Sequence, residues 1–326
     1  MMKQELEEEF YSKKLYHSYS SLSKLLYSPA LFYKEYVLQE REPSIGRHLA
    51  EGKLIHSLML DKKNFDDLFI IAPSGLPSDN TLKVIQHVLD YHIESEGLPT
   101  ATLMDYADII LEKLEQMELH QSLKTDEQRI AKIVNEASNE YWEFLKKKDG
   151  REIVDIEMLS KCQEFADVIK ADKKAMELLT NGDEVHSEIA LSMDFQNGTI
   201  GLKGVVDNIC INHSKGTIII SDIKTTSKSI KDFPESVEFW NYWIQACAYK
   251  MLVKEQCRSL IEEDYVLKFY FIAIDPYKQV YCFEVSNNTF REWATRFVDL
   301  MLEAEWHFSN RNYTLPYKFI NQEYKL

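Results

Sequence analysis

Cysteine is scarce. Five residues, Cys162, Cys210, Cys247, Cys257 and Cys282, are spread along 326 positions without a CxxC pair. That argues against a zinc or iron–sulfur site and predicts buried free thiols. Glycine (10) and proline (8) are also few, so long disordered linkers are not expected. No apolar run is long enough to span a membrane. The opening MMKQELEEEF is acidic and lacks the apolar stretch of a signal peptide. The expected location is therefore the cytoplasm, with no membrane partner. Positive charge is short as well: 38 Lys and Arg stand against 53 Asp and Glu, a net charge of −15. This argues against a protein whose whole surface grips nucleic acid. It leaves room for one local basic groove, and it suits a protein that gathers carboxylates around a divalent metal.

What remains is a chain of ordinary globular composition, 45% hydrophobic, long enough for one large domain or two. It has no internal repeat and no low-complexity tract. YHSYSSLSKLLYSPALFYKEYVL reads as a helix after a serine-rich start, with Leu22, Leu25, Leu26 and Tyr33 at helical spacing. Ser20 or Ser21 is the expected cap, and Pro29 is expected to break the helix or start another. A second helix carries Leu49, Lys53, His56 and Leu60 along one stripe. Residues 82–180 are helical by pattern, with breaks near 96–99, 120–125 and 148–151. From about Val185 the period becomes extended: strands at Val185–Phe195, Thr199–Ile211 and Thr217–Lys224, a helix over Val237–Lys254, a hairpin of Tyr265–Ile274 and Tyr277–Val285, and a closing helix over Asn288–Phe308. This order predicts an α/β or α+β core with a helical N-terminal half. The division read from it is 1–80, a helical subdomain over 81–182, and a core over 183–326, together forming one domain.

Three charges interrupt the most apolar part of that core. GVVDNICINHSKGTIIISDIKTT places Asp207, Asp222 and Lys224 in segments otherwise fit for burial. If His213-Ser214-Lys215-Gly216 is the turn, Asn212 faces Thr217, and in the same register Asp207 faces Asp222. Their Cβ atoms would then be about 4.5–5.5 Å apart, with Lys224 on the same face. Two ionised carboxylates that close repel. Either one takes a proton, or Lys224 pairs with them, or a divalent cation such as Mg²⁺ or Mn²⁺ sits between them.

Other residues have two readings each. His56 lies four residues after Gly52, and a glycine within a helix suggests close approach of another element. It is either a packed histidine or a ligand. Glu188 is either a solvated strand-end charge or a further carboxylate of the site. Gln245 and Tyr249, one turn apart, are either ordinary helix packing or contacts to a nucleic-acid strand. Lys228 and Lys231 follow the DIKTT segment and are either surface lysines or phosphate contacts.

The ordered set GVVDNI, SDIKTT and WIQACAYK resembles the PD-(D/E)xK nuclease superfamily. There a strand Asp, a later Asp/Glu-x-Lys and a helical Gln-x-x-x-Tyr recur together, matched here by Asp207, Asp222, Lys224, Gln245 and Tyr249. SLSKLLYSPALFYKEY resembles the opening of RecE-type exonuclease VIII domains and of RecB and AddB nuclease domains. GKLIHSLML resembles the Gly-x-x-x-His helix whose histidine, here His56, contributes to the metal site. The stretch from Asn135 to Glu188 is most similar to the RecE-like, phage-associated subgroup. AddB-type iron–sulfur cysteines are missing, which disfavours that branch, and residues 82–148 find no counterpart.

The resemblance implies a restriction-endonuclease-like core, a mixed central sheet flanked by helices. It implies Mg²⁺, with Mn²⁺ able to substitute, held by His56, Asp207, Asp222 and the backbone carbonyl of Ile223, with Glu188 joining the shell. Lys224 would orient or activate the attacking water, and Gln245, Tyr249, Thr225, Lys228 and Lys231 would meet DNA. The expected activity is 5′-to-3′ exonuclease digestion of double-stranded DNA ends in recombination or phage DNA processing. A homo-oligomer and a single-strand-annealing recombinase partner are expected with it. An endonuclease, a nuclease subunit of a repair complex, and a catalytically silent module that binds DNA ends or a recombinase are the alternatives.

Overall fold

Strand pairing brings the candidate site residues Glu188, Asp207 and Asp222 onto neighbouring strands. The computed structural model describes residues 2–41, 47–60, 64–73, 75–96, 101–148, 150–196, 198–321 and 323. Its strands are β1 (Leu15–His17), β2 (Phe69–Ile71), β3 (Glu152–Val154), β4 (Glu184–Asp194), β5 (Ile200–Asn212), β6 (Thr217–Thr225), β7 (Val266–Ile274) and β8 (Val280–Glu284). The helices are α1 (Met2–Ser12), α2 (Tyr19–Tyr27), α3 (Pro29–Phe32), α4 (Arg47–Leu60), α5 (Phe65–Leu68), α6 (Asp79–Glu96), α7 (Ala107–Gln116), α8 (Asp126–Ile133), α9 (Glu136–Lys146), α10 (Ile156–Ala171) and α11 (Lys173–Thr180). After the central hairpin come α12 (Phe233–Phe239), α13 (Tyr242–Gln256), α14 (Arg258–Glu262), α15 (Asn287–Asn310) and α16 (Tyr317–Ile320).

The chain forms two compact units, Met1–Asp61 with Glu164–Leu326, and Lys62–Gln163. The smaller unit is mainly helical. Val84, Ile85 and Val88 of α6, Ile110 and Leu114 of α7, and Trp142 and Leu145 of α9 make its core. Residues 69–80 read from the sequence as a short extended piece and a turn-rich loop, and Phe69–Ile71 is β2; its parallel partner β3 was not read, because three residues are too few to show a period.

The larger unit is a mixed α/β fold with a central mixed sheet flanked by helices. β4 is antiparallel to β5, β5 to β6 and β7 to β8, while β6 and β7 run parallel. A parallel pair needs a crossover, and α12, α13 and α14 provide it. The short β1 runs parallel to the start of β5. One edge of β5 therefore meets β1 over Ile200–Leu202 and β6 over Asn208–Asn212, and the site lies where β6 parts from it. β7 is the apolar centre, with Phe269, Phe271, Ile272 and Ile274 buried. Each such side chain contributes about 2–3 kcal/mol by leaving water.

Local chemistry explains the element ends. Ser18, rather than Ser20 or Ser21, caps α2. Its side chain accepts from Ser21 N while Ser21 Oγ accepts from Ser18 N at 2.8 Å, a reciprocal box. Pro29 opens α3 at its first turn with Ser28 as cap. Leu22 and Leu25 are buried, while Leu26 and Leu49 face solvent. The helix expected over Val237–Lys254 is two helices, because Asn241 takes a left-handed conformation (φ 56°) between α12 and α13. Gly52 does not mark a close approach: among the described residues a Cβ there would meet nothing within 4 Å.

Candidate active site

The turn at His213–Gly216 closes as the sequence suggests, with Gly216 at φ 57°. Pairing then runs from Asn212↔Thr217 to Asn208↔Ser221. The next rung in that register is Asp207 with Asp222, and the main-chain ladder stops before it. Instead the Asp207 carboxylate takes the Ile223 N–H at 3.0 Å. On the other side of β5, the ladder to β4 pairs Ser187 with Asn208 and Ile189 with Val206, and skips the rung between. That rung is Glu188 with Asp207. Glu188 sits at φ 51°, in the left-handed region, a conformation that costs a non-glycine residue about 1 kcal/mol or more. Three carboxylates, Glu188, Asp207 and Asp222, thus lie abreast on three neighbouring strands, and both ladders open at their level.

α4 brings His56 over this opening. Its Nε2–H donates to the Ile223 carbonyl at 2.8 Å, which fixes the proton on that nitrogen because a carbonyl only accepts. Nδ1 then faces Asp207 Oδ2 at 3.4 Å and Glu188 Oε1 at 3.6 Å. Burial alone would lower the imidazole pKa. The Asp207 charge and the Glu188 interaction outweigh it, with Asp222 adding and Lys224 opposing, and raise it to about 9. At neutral pH, without metal, an imidazolium stands between the carboxylates.

Asp222 is fully buried, and burial pushes its carboxyl up to about 7, with Lys224 opposing and Asp207 adding. Lys224 Nζ stands 2.5 Å from Asp222 Oδ2 and 5.1 Å from the centre of the Tyr242 ring. Burial would pull the ammonium pKa down. The charges of Asp222 and Asp207 win and hold it above its ordinary value. Two residues missed in the sequence complete this corner. Tyr242 leads α13, and Tyr19 of α2 lies with its ring 6.2 Å from that of Tyr242. Burial raises the Tyr19 phenol to about 12, with Lys224 opposing. No spacing signal linked Tyr19 to the site, because it sits 205 positions before Lys224 in sequence.

Gln245 and Tyr249 lie below the site. Both are 7% exposed, and Gln245 Nε2 donates to Tyr249 Oη at 2.9 Å. Gly204 of β5 admits Tyr249: a Cβ there would meet Cε1 of the ring at 3.0 Å. This pair supports the strands that carry Asp207 and presents little surface to a DNA strand. Thr225 ends β6, half-buried. Lys228 is exposed and pairs with Glu235 at 3.2 Å, and Lys231 is exposed in the turn before α12.

A divalent metal fits three of these residues. One donor atom each from His56, Glu188 and Asp207 lie within 4.8 Å of one another. Glu188 Oε1 and Asp222 Oδ1 are buried with no hydrogen-bond partner among the described residues, which is costly unless something else satisfies them. Two carboxylates with one imidazole suit a hard or borderline divalent ion. Asp222 lies outside that group of three and is engaged by Lys224.

The two raised groups give a signed pH dependence. His56 stabilises the metal-free fold fully below its ordinary 6.5, and this is lost as pH rises through about 9. The raised carboxyl of Asp222 likewise contributes fully below 3.8 and loses that contribution as pH rises through about 7. Thermal unfolding in EDTA should therefore show stability falling between pH 6.5 and 9, by on the order of 3 kcal/mol from His56. Stability that rises over that interval would contradict this electrostatic reading.

The family model of the PD-(D/E)XK nuclease superfamily matches residues 16–313, and the chain belongs to that superfamily. Its members are generally dependent on divalent metals. Among solved structures, the chain is similar to a protein described as a "Putative exonuclease" from Eubacterium rectale. Identity is 13% and the TM-score 0.46, covering 95% of this chain and 88% of that one. No curated protein matches the chain. Among the described residues, no helix is long and apolar enough to cross a membrane.

Proposed function

We propose that the chain is a metal-dependent exonuclease of the RecE-like type that hydrolyses double-stranded DNA from its ends, 5′ to 3′. The observation that carries the nuclease part is the single opened rung of Glu188, Asp207 and Asp222 with His56 above it and Lys224 beside it. The exonuclease subtype and its polarity rest on the resemblance of the SLSKLLYSPALFYKEY and GKLIHSLML segments to RecE-type domains. A homo-oligomer, a single-strand-annealing recombinase partner, a cytoplasmic location and a phage or bacterial host belong to the same proposal.

His56, Glu188 and Asp207 would hold Mg²⁺ or Mn²⁺, with the Ile223 carbonyl adjoining. A divalent cation supplies charge for the scissile phosphate and a nucleophile at neutral pH. Asp207 acts doubly, since it also fixes the Ile223 N–H and so the backbone at the site. Lys224 keeps its proton at neutral pH, so its role is a donor to the negative charge that grows on the oxygens of the pentavalent transition state, rather than a base. Asp222 and the Tyr242 ring hold that ammonium in place. His56 must give up the Nδ1 proton before that atom can serve as a ligand, so metal binding releases a proton below pH 9.

Linear and circular duplex DNA incubated with Mg²⁺, Mn²⁺ or EDTA test the proposal. Loss of linear DNA alone, and only with metal, is expected, and duplexes labelled at one 5′ or 3′ end read the polarity. Cut circles would make the chain an endonuclease. Bound but intact DNA in every metal would make it a silent end-binding module.

A further inference from the structure

Two large aromatic side chains stand exposed just before the helix that brings Tyr242 to the candidate site. Phe239 is 70% and Trp240 56% exposed, and their rings meet edge to face at 4.8 Å. Hydrogen bonds fix the backbone that carries them. The Trp240 N–H closes the last turn of α12 on Ser236 O at 2.9 Å, and left-handed Asn241 turns the chain into α13. Asn241 Oδ1 accepts from Trp243 Nε1 at 3.1 Å, and the Trp240 carbonyl accepts from Tyr19 Oη at 2.6 Å. Tyr19 packs its ring 6.2 Å from that of Tyr242, and Tyr242 lies under the Lys224 ammonium. The exposed pair is thus joined to Tyr242, the ring against Lys224, through Tyr19 on one side and through the backbone of Asn241 on the other.

We infer that Phe239 and Trp240 form a stacking platform for the unpaired terminal base of a DNA strand whose phosphate reaches Lys224. The inference rests on the nuclease reading above and names how that site engages its substrate. Stacking needs only the π-face that every base has, so it gives hold without sequence preference. A contact with a second protein is the weaker occupant. A stable protein interface takes about 800 Å² from each partner, and the neighbours of these two rings are charged: Glu238 pairs with Arg296 at 3.1 Å and Glu235 with Lys228 at 3.2 Å. Both side chains project from a corner fixed by hydrogen bonds of the main chain. Their removal should therefore leave the fold intact, since the acceptor for Tyr19 is the main-chain oxygen.

The test uses the full chain and two readouts. Duplexes carrying 5-iodouracil at the 5′- or the 3′-terminal nucleotide are irradiated with the protein in EDTA, and the adduct is mapped by mass spectrometry. Crosslinking at Phe239 or Trp240 is expected, and it should be lost in the F239A/W240A variant and kept in F239Y/W240F. Adducts that map elsewhere, or none at all, overturn the inference. In Mg²⁺, the double alanine variant should lose about tenfold or more in kcat/KM on blunt ends. Ends with a mismatched last pair, which expose the base without help, should be affected less. Unchanged kcat/KM on blunt ends overturns it. So does a variant that changes only the sedimentation coefficient, which would mark the pair as a contact between copies. If the wild-type chain cuts no DNA in any metal, the nuclease reading fails by itself, and the crosslink map still decides the platform.

Discussion

Replacing Lys224 with alanine is expected to lower the cleavage rate by about 10²–10³-fold, the usual cost of losing one preorganised donor to a transition state, while Mn²⁺ binding by calorimetry persists. The ammonium stands between Asp222 and the Tyr242 ring, and its raised pKa makes it a fixed positive charge through the neutral range. Its removal also strands a carboxylate with no exposure to solvent. Breaking one half of a buried pair costs about 3–5 kcal/mol. Asp222 can soften this by taking up a proton, since burial already raises its pKa to about 7. The variant should therefore regain stability as pH falls toward 5. The double variant Lys224→Ala with Asp222→Asn should recover stability at neutral pH, because no charge is left buried, and should stay inactive. Single-turnover digestion of an end-labelled duplex, with thermal melts alongside, separates the two effects. A folded Lys224→Ala protein that cuts within a few-fold of wild type would remove Lys224 from the mechanism.

The part of the site that could be read from sequence was the part that a strict period controls. Side chains alternate along a strand, so once His213–Gly216 is taken as the turn, the register from Asn212↔Thr217 to Asn208↔Ser221 follows by counting. Counting also places Asp207 level with Asp222. It does not show that the ladder ends there, because that depends on a side chain taking a backbone hydrogen bond, Asp207 from Ile223. The same holds for Glu188. Its position in a strand was legible, but its left-handed backbone is imposed by tertiary context and leaves no mark on composition.

Helical and long-range features were less legible still. Asn241 sits in an unbroken helical pattern, and only its φ of 56° divides α12 from α13. Phe239 and Trp240 before that break are exposed, and Tyr242 after it lies against Lys224. The pattern of Gln245 and Tyr249 suggested residues of a site, and the structure buries both under β5. The same spacing would arise from helix packing alone, so sequence could not decide between contact and support. β1, at three residues, is defined by its parallel pairing with β5, and no local pattern announces it.

Asp207 carries the other large expected effect, and two substitutions divide its roles. Its Oδ2 accepts from Ile223 N at 3.0 Å and lies 3.4 Å from His56 Nδ1, and the residue offers one of the three donor atoms within 4.8 Å of one another. Asp207→Ala removes all three relations and should lose stability, metal binding and cleavage together. Asp207→Asn keeps an oxygen for the Ile223 N–H and nearly the same volume, but no charge. In EDTA it should stay within about 1 kcal/mol of wild type at pH 9, where His56 no longer gains from the carboxylate. Mn²⁺ affinity should nevertheless fall by more than the 10–100-fold that loss of an outer partner costs, and cleavage with it. The Asp207 charge is also the main force raising His56 against burial. The imidazole pKa in the Asn variant should therefore drop from about 9 toward its ordinary 6.5, followed by NMR of the ring protons, and the stability loss between pH 6.5 and 9 should flatten with it. An Asn variant that binds Mn²⁺ as tightly as wild type would show that Asp207 serves the backbone of β6 alone, and the ligand set would have to be sought without it.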